Sequence, residues 1–429
     1  MRTIAVDEGI AFTIDGDLRV PLRDACRRIQ LQLGTSFTVL QEAAGMFTIR
    51  GVVGTIAVRA GVVLDVTPKV AAEDNWIAAV LDLLLPPDPI DVAGDRRAGL
   101  ARHRNLLDVL AGIYAERLGR ALRRDGPILV MERRQATMPV LKGKLRITDW
   151  ARRAAWEPHR FPVAFQELTV DNDYSRALAR VATLLAQGTT NPRTRGTLLD
   201  GARALRPGAP EVAHVGTHLA LRRLPAQWAA YEPAWDITVS VLSRRSLLGS
   251  VGARHGVSIA IEAWPLLERL LERALTAAVR AARDSPRMLT APTKTGTALL
   301  RPARGHAVPG RRVIPDGRLA ENGQHVATLE AKYARLNLAD GPPREHVFQA
   351  LSTAAACNSP LAVLVYPDRL EAAWWEVQGF HGHPAYLAVI GLGLFSYRRG
   401  AGDVDRGQRL LDLLAGPAGA APPSLIAAA

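Results

Sequence analysis

Lysine is nearly absent from this sequence: its 54 basic residues include only five lysines, at 69, 142, 144, 294 and 332, and the others are arginine. Cysteine is as scarce. Cys26 and Cys357 stand alone and far apart, which excludes a disulfide framework and any cysteine-based zinc motif and fits a reducing cytosol. No G-x-x-x-x-G-K-[ST] occurs, and Ala291-Pro-Thr-Lys-Thr-Gly does not satisfy it, so the chain is not expected to hydrolyse nucleotides itself. Neither H-E-x-x-H nor a nucleophile elbow is present. Long apolar runs are missing too. The strongest, Trp76–Leu85, contains Asp82 and is too short to span a bilayer. MRTIAVDEG at the start lacks the shape of a signal peptide, so a cytoplasmic location and no membrane partner are expected.

What is present is enough apolar material, 48%, to build real cores across 429 residues, which implies two or three domains. The net charge is +13 and the pI about 10.4. That favours a polyanionic partner, nucleic acid ahead of membrane. Because richness in Ala, Arg, Gly and Pro inflates arginine everywhere, the charge is modest support.

The pattern implies a multidomain α+β chain. Residues 1–95 form an N-terminal β-rich domain of short apolar runs punctuated by glycine, with one helix near Leu22–Leu33. Its last strand ends at Pro68-Lys69, where Lys69 reads first as an exposed strand-end charge. Residues 75–86 form a helix capped by Asp74 or Asn75, and a Pro- and Asp-rich linker runs from Pro86 to Arg97. Residues 96–250 form a mainly helical middle region. Leu106, Leu107, Leu110, Ile113, Tyr114, Leu118 and Leu122 keep a helical period. Arg117, Arg120, Arg123 and Arg124 fall near that helix's C-terminal end, where the dipole favours cations. Trp150 and Trp156 lie among Arg146, Arg152, Arg153 and Arg160; such a mixture can grip a nucleic-acid strand, but core aromatics are the commoner case. Asp171-Asn172-Asp173 resembles a helix N-cap. His214 and His218 are four apart with no third ligand near, and are expected to be structural.

Residues 251–415 form a C-terminal α/β domain with a mixed sheet, and 416–429 a frayed Ala/Pro tail. A long helix carries Pro265 as its first residue and Leu267, Leu270, Leu271, Ala274, Leu275 and Ala278 as its buried stripe. At 100° per residue, Glu268 falls at the edge of this stripe and Glu272 points further out. Two β-type runs follow, Arg312–Ala320 and His325–Tyr333, around Asn322-Gly323, a strong hairpin signal. The first run holds Pro315-Asp316 and the second Glu330-Ala331-Lys332. Two carboxylates and a lysine on neighbouring strands can hold a hard divalent cation, activate water against a phosphate and offset developing negative charge. A strict two-residue loop pairs Asp316 with Leu329 and puts the acids on opposite faces. A three-residue loop, or a bulge at Gly323, shifts the pairing so that Asp316 faces Glu330, and that bulged register is the one expected.

The spacing from Pro315-Asp316 to Glu330-Ala331-Lys332 resembles the PD-(D/E)xK nuclease signature, a loose pattern alone. More specific is the order of short segments along the chain, which resembles the McrC family, the nuclease subunits of McrBC modification-dependent restriction systems. The segments are Leu64-Asp65-Val66-Thr67-Pro68-Lys69, Lys142-Gly143-Lys144-Leu145, Asp171-Asn172, Leu266-Leu267-Glu268, Pro315-Asp316, Glu330-Ala331-Lys332-Tyr333, Gln349 and Leu364-Val365-Tyr366-Pro367. Glu330 stands where Asp is more usual, and Thr353 stands where the family often has Tyr.

The resemblance implies a restriction-endonuclease-like C-terminal domain with Asp316 and Glu330 as ligands of Mg²⁺, for which Mn²⁺ could substitute, and Glu268 completing or flanking the site. It implies that Lys332 positions the attacking water or stabilises the phosphate, and that Gln349 orients water or contacts the strand. It also implies cleavage of double-stranded, modified DNA and a separate AAA+ GTPase hexamer of McrB type, docked through the N-terminal portion, whose hydrolysis the chain stimulates. Two other functions remain open: an inactive DNA-binding adaptor of an AAA+ enzyme, and a stand-alone repair nuclease.

Overall fold

The computed structural model describes residues 2–70, 76–85, 105–206, 223–242, 248–250, 258–283, 288–302, 309–378 and 384–416. The cap at Asp74 or Asn75, the linker to Arg97, the His214/His218 pair and the tail beyond Gly416 lie outside these residues. The described residues form a mixed α+β structure with ten α-helices and several sheets.

The N-terminal unit is a five-stranded sheet in the order Arg2–Asp7, Val62–Thr67, Val52–Arg59, Ile259–Glu262, Leu248–Ser250. Helix Arg19–Leu33 packs against it through Leu22, Ala25, Cys26 and Ile29, all fully buried. The helix stops at Gly34, whose φ of +68° is the left-handed end position that glycine takes without strain. A small sheet of Ala11–Phe12, Met46–Ile49 and Leu40–Ala43 closes the unit. The sequence pattern puts Ile259–Glu262 at the start of the C-terminal domain. It pairs antiparallel with Val52–Thr55 instead, so the first sheet is completed by chain from far downstream.

In the middle region, helix Leu106–Asp125 is capped by Asn105, whose side chain accepts the Asp108 N–H at 2.8 Å. It packs with helices Asp173–Gly188, Pro192–Leu205 and Glu232–Leu242. Arg117 is not a solvated dipole partner: it is buried and donates to the Pro233 carbonyl. Asn172 caps its helix and donates to three carbonyls, while Asp171 is bound bidentately by Arg176. The Asp-Asn pair is therefore architectural. An antiparallel ribbon, Val130–Met138 against Phe161–Thr169, carries the short strand Lys144–Leu145. Gly143 at that turn has φ of +77°, and a Cβ there would lie 2.6 Å from the Ala164 carbonyl oxygen. Trp150 stacks on Phe161, whereas Trp156 is 72% exposed.

The C-terminal sheet has six strands in the order Leu289–Thr290, Gly317–Glu321, Gln324–Ala331, Leu361–Tyr366, Tyr386–Gly391, Ala373–Glu376. It is mixed, as expected: strands Gln324–Ala331, Leu361–Tyr366 and Tyr386–Gly391 run parallel and the other pairings are antiparallel. Strand Leu361–Tyr366 is apolar throughout because both faces are covered. Leu361, Val363 and Val365 pack with the Leu267/Leu271 stripe of helix Ala263–Ala281, and Ala362, Leu364 and Tyr366 with Ala350, Leu351 and Ala354 of helix Arg344–Ala356. Each fully buried Leu here contributes on the order of 1.5–3 kcal/mol. Helix Ala401–Leu414 lies so close to helix Ala263–Ala281 that a Cβ on Gly407 would meet Ala278 N at 2.7 Å.

Three boundaries differ from the sequence pattern. Pro265 is the third residue of its helix, not the first. The run Arg312–Ala320 is split: Arg311–Val313 pairs with Thr297–Leu300 in a separate ribbon, and Gly317–Glu321 alone joins the main sheet. Pro315, which has no N–H for a ladder, lies in the break. Finally, the expected helical region up to residue 250 does not end on helix: a 3-10 turn (Ala226–Tyr231) precedes helix Glu232–Leu242, and Leu248–Ser250 is a strand.

Candidate functional site

The hairpin Gly317–Glu321/Gln324–Ala331 sets the geometry. Its loop is the strict two-residue kind, with Glu321 paired to Gln324, φ of +50° at Asn322 and φ of +82° at Gly323. That alone would put Asp316 and Glu330 on opposite faces. The ladder, however, shifts by one residue between Leu319↔Ala327 and Ala320↔His325, leaving Val326 as the extra residue of a bulge. Beyond it Gly317 pairs with Leu329, and one further step sets Asp316 opposite Glu330. The bulge expected at Gly323 therefore lies at Val326, with the same effect on register.

Asp316 sits where the chain enters its strand, and its Oδ2 accepts the Ala331 N–H at 2.8 Å. Glu330 is buried, 3% exposed, and faces helix Arg344–Ala356. Gln349 on that helix joins the two functional groups of the neighbouring strand: its Nε2 donates to Glu330 Oε2 at 3.1 Å, and its Oε1 accepts from Lys332 Nζ at 2.7 Å. Lys332 Nζ lies 3.7 Å from Glu330 Oε2. Glu268 comes from helix Ala263–Ala281 and forms an ion pair with Lys294 at 3.0 Å. Its carboxyl also feels the negative charge of Asp316. Glu272 is held by the same Lys294 but stays 56% exposed, as the helical projection implies.

Electrostatics follow from this crowding. Burial pushes the Glu330 carboxyl up to about 7, and the negative charge of Asp316 pushes the same way against Lys332 and Thr353. Glu268 is also raised, by burial first and by Asp316 next among the raising influences, with Lys294 opposing. Like charges held together in a desolvated place bind protons, or a cation, more tightly than they would in water.

Among the described residues no group of three or more His, Cys, Asp or Glu side chains forms a ready-made metal cage. The donor set still suits Mg²⁺. That ion keeps several waters and is typically bound by one or two carboxylates plus substrate phosphates. Asp316 and Glu330 offer hard oxygens on adjacent chain segments, and a cation between them would offset the burial of Glu330 and its repulsion by Asp316.

These residues open onto a cleft of about 540 Å³. Its wall includes residues the sequence pattern did not mark as part of a site. Glu8, Arg50 and Lys69 come from the N-terminal unit, and Trp264, Tyr333 and His346 from the C-terminal one. Glu8 is buried, 1% exposed. Its carboxylate accepts Tyr333 OH at 2.7 Å and Gly51 N–H at 3.0 Å. No motif spacing links residues 8 and 333; the resemblance segments ending at Lys69 and at Tyr333 were the local signals near this wall.

A family model described as McrBC 5-methylcytosine restriction system component matches residues 47–367. The chain belongs to this McrBC family. The matched span holds Lys69, Glu268, Asp316, Glu330, Lys332 and Gln349. Among solved structures, a chain of the refined half-complex from a tetradecameric assembly of Thermococcus gammatolerans McrB AAA+ hexamers with bound McrC is similar at TM-score 0.65 and 18% identity, over 96% of this chain and 100% of that one. The fold is thus shared over nearly the whole length. A chain of the cryo-EM structure of the Thermococcus gammatolerans McrBC complex matches at TM-score 0.46 and 20% identity, over 65% of this chain and 88% of that one. No curated protein matches the chain. No helix among the described residues is long and apolar enough to cross a membrane.

Proposed function

We propose that this McrBC-family chain is the DNA-cleaving subunit of its restriction system, a metal-dependent endonuclease of the PD-(D/E)xK kind acting on modified double-stranded DNA in the cytoplasm. The observation that carries this is the Val326 bulge, which brings Asp316 opposite Glu330 with Lys332 and Gln349 alongside. Asp316 and Glu330 would hold Mg²⁺, or Mn²⁺ in its place, with Glu268 flanking. When bound, the ion would neutralise phosphate charge and make water a better nucleophile.

The chain's own groups do the rest. Gln349 fixes the Lys332 ammonium beside Glu330. From there Lys332 meets the negative charge that grows on the phosphate, or orients the attacking water. A compact ammonium on a flexible stem suits this role better than a planar guanidinium, which fits a lysine at this point of an arginine-rich chain. Lys294 balances Glu268, limiting the site's net negative charge before DNA enters.

The energy source would be a separate AAA+ GTPase ring of McrB type, docked through the N-terminal part and stimulated by it. The similar assembly of McrB AAA+ hexamers with bound McrC supports that division of labour, as does the absence of a P-loop here.

Calorimetric titration of the purified chain with Mg²⁺ or Mn²⁺, with and without DNA, tests the metal assignment. Binding by the wild type that is lost in Asp316→Ala is expected. Equal binding by both would leave the adaptor function, in which the fold binds DNA and regulates the ring without cutting.

A further inference from the structure

The cleft is a junction between two parts of the chain that are far apart in sequence, and one cation on its N-terminal wall has no part in the chemistry assigned above. Lys69 ends the strand region Val62–Thr67 and lines the cleft that Asp316, Glu330 and Lys332 also line. Its Nζ stands 4.9 Å from the centre of the Tyr333 ring. Tyr333 directly follows Lys332, and its hydroxyl is tied to Glu8, 325 residues away. Glu8 Oε2 also accepts the Lys69 backbone N–H at 3.4 Å. One carboxylate therefore pins the backbone of Lys69 and the ring beneath its ammonium.

The neighbouring geometry makes this connection stiff. Gly51 donates to Glu8 and accepts the Ala263 N–H at 3.0 Å, and Ala263 begins the helix that carries Glu268. Gly51 has φ of +70°, and a Cβ on it would lie 2.4 Å from the Phe37 ring, so any other residue would be strained and would have to displace that ring. Arg50, beside it, is exposed on the same wall. The acids of the cleft belong mainly to the C-terminal sheet and its helix, whereas Lys69 and Arg50 face them from the N-terminal sheet. A polyanion entering between the walls would meet cations on the side away from the metal-binding acids.

We propose that Lys69 is a substrate-binding residue of this cleft, contacting a phosphate of the DNA strand held there, and that Glu8 and Tyr333 are positioning residues that hold it in place. The proposal rests on the nuclease function proposed above. It makes the N-terminal unit a wall of the cutting site as well as a docking part.

The test uses the full chain assembled with its AAA+ partner on modified duplex DNA. Lys69→Ala raises KM roughly 10- to 100-fold, the worth of one charged hydrogen bond. In an Asp316→Ala background it also lowers the slope of log affinity against log salt by about one phosphate contact. Lys69→Arg retains the slope, and Tyr333→Phe raises KM less than Lys69→Ala. A Lys69→Ala complex with wild-type KM and salt slope overturns the proposal. Should Lys69→Ala fail to fold, Lys69→Gln against Lys69→Arg decides it by the same slope. Full cleavage by Asp316→Ala would instead sink the nuclease function. A dead Asp316→Ala beside a normal Lys69→Ala would remove only the role of Lys69.

Discussion

Asp316 Oδ2 accepts the backbone N–H of Ala331 at 2.8 Å, so the acid at the start of one strand is fastened to the residue between Glu330 and Lys332 on the next. This bond fixes the order of groups along the cleft floor, and it depends on the one-residue offset at Val326. Local turn chemistry sets the loop; the bulge sets which side chains meet.

Lys332 should be the residue least replaceable by its nearest relative. Lys332→Ala is expected to cut DNA about 10²–10³-fold more slowly. Lys332→Arg should recover little, because a planar guanidinium cannot sit between Gln349 and Glu330 as the ammonium does. Single-turnover cleavage by the assembled complex measures both, and an Arg variant near wild-type rate would contradict the role.

Gln349→Ala removes both hydrogen bonds that orient Lys332 and Glu330. Losing an orienting partner of this kind typically costs about 10–100-fold. The loss should appear in kcat, with DNA affinity unchanged. A change confined to affinity would mean that Gln349 contacts the strand instead.

Two glycines share a left-handed backbone but not their surroundings. Gly323 has open space around it, and Gly51 faces the Phe37 ring. Gly323→Ala should cost about 1–2 kcal/mol, the backbone penalty alone. Gly51→Ala should cost clearly more, since the partly buried Phe37 ring must also move. Urea unfolding of the two variants gives the comparison, and equal costs would show that the ring yields freely.

Asp65 gives a stability test away from the cleft. Burial pushes its carboxyl up to about 7 from 3.8, with Asp108 adding to the rise and Thr55 opposing it. The folded state therefore holds this proton more tightly than the unfolded one. Its stabilising effect is complete below about pH 4 and is lost as pH rises through 7, falling by at most about 1.4 kcal/mol for each step of one in pH. Asp65→Asn should thus raise the urea midpoint at pH 8 and change it little at pH 4. The reverse pattern would mean that Asp65 is held as a favourable anion.

Much of the C-terminal part was legible in the sequence. The mixed α/β sheet expected for residues 251–415 is present, with helix Arg344–Ala356 and the all-apolar strand Leu361–Tyr366 among its elements, because helical faces and apolar strands are both local signals. Glu268 and Glu272 separated on the helix for the same reason. The bulge position was not legible: nothing in the residues of Gln324–Ala331 sets Val326 apart from its neighbours, and the register is decided by burial on both faces. Nor was the Glu8–Tyr333 bond, since contacts between distant segments leave no spacing to read. Ile259–Glu262 looked like the start of a new domain because a strand's partner cannot be read from its own residues.

The most direct test of the central claim is Mg²⁺-dependent cleavage of modified duplex DNA by the wild-type chain assembled with its AAA+ partner, beside the same complex carrying Asp316→Ala. The account predicts strand scission by the wild type and its loss, by about 10²-fold or more, in the variant, with assembly and nucleotide hydrolysis by the ring unchanged. Equal scission by the two complexes, or none by the wild type while the ring is active, would contradict it.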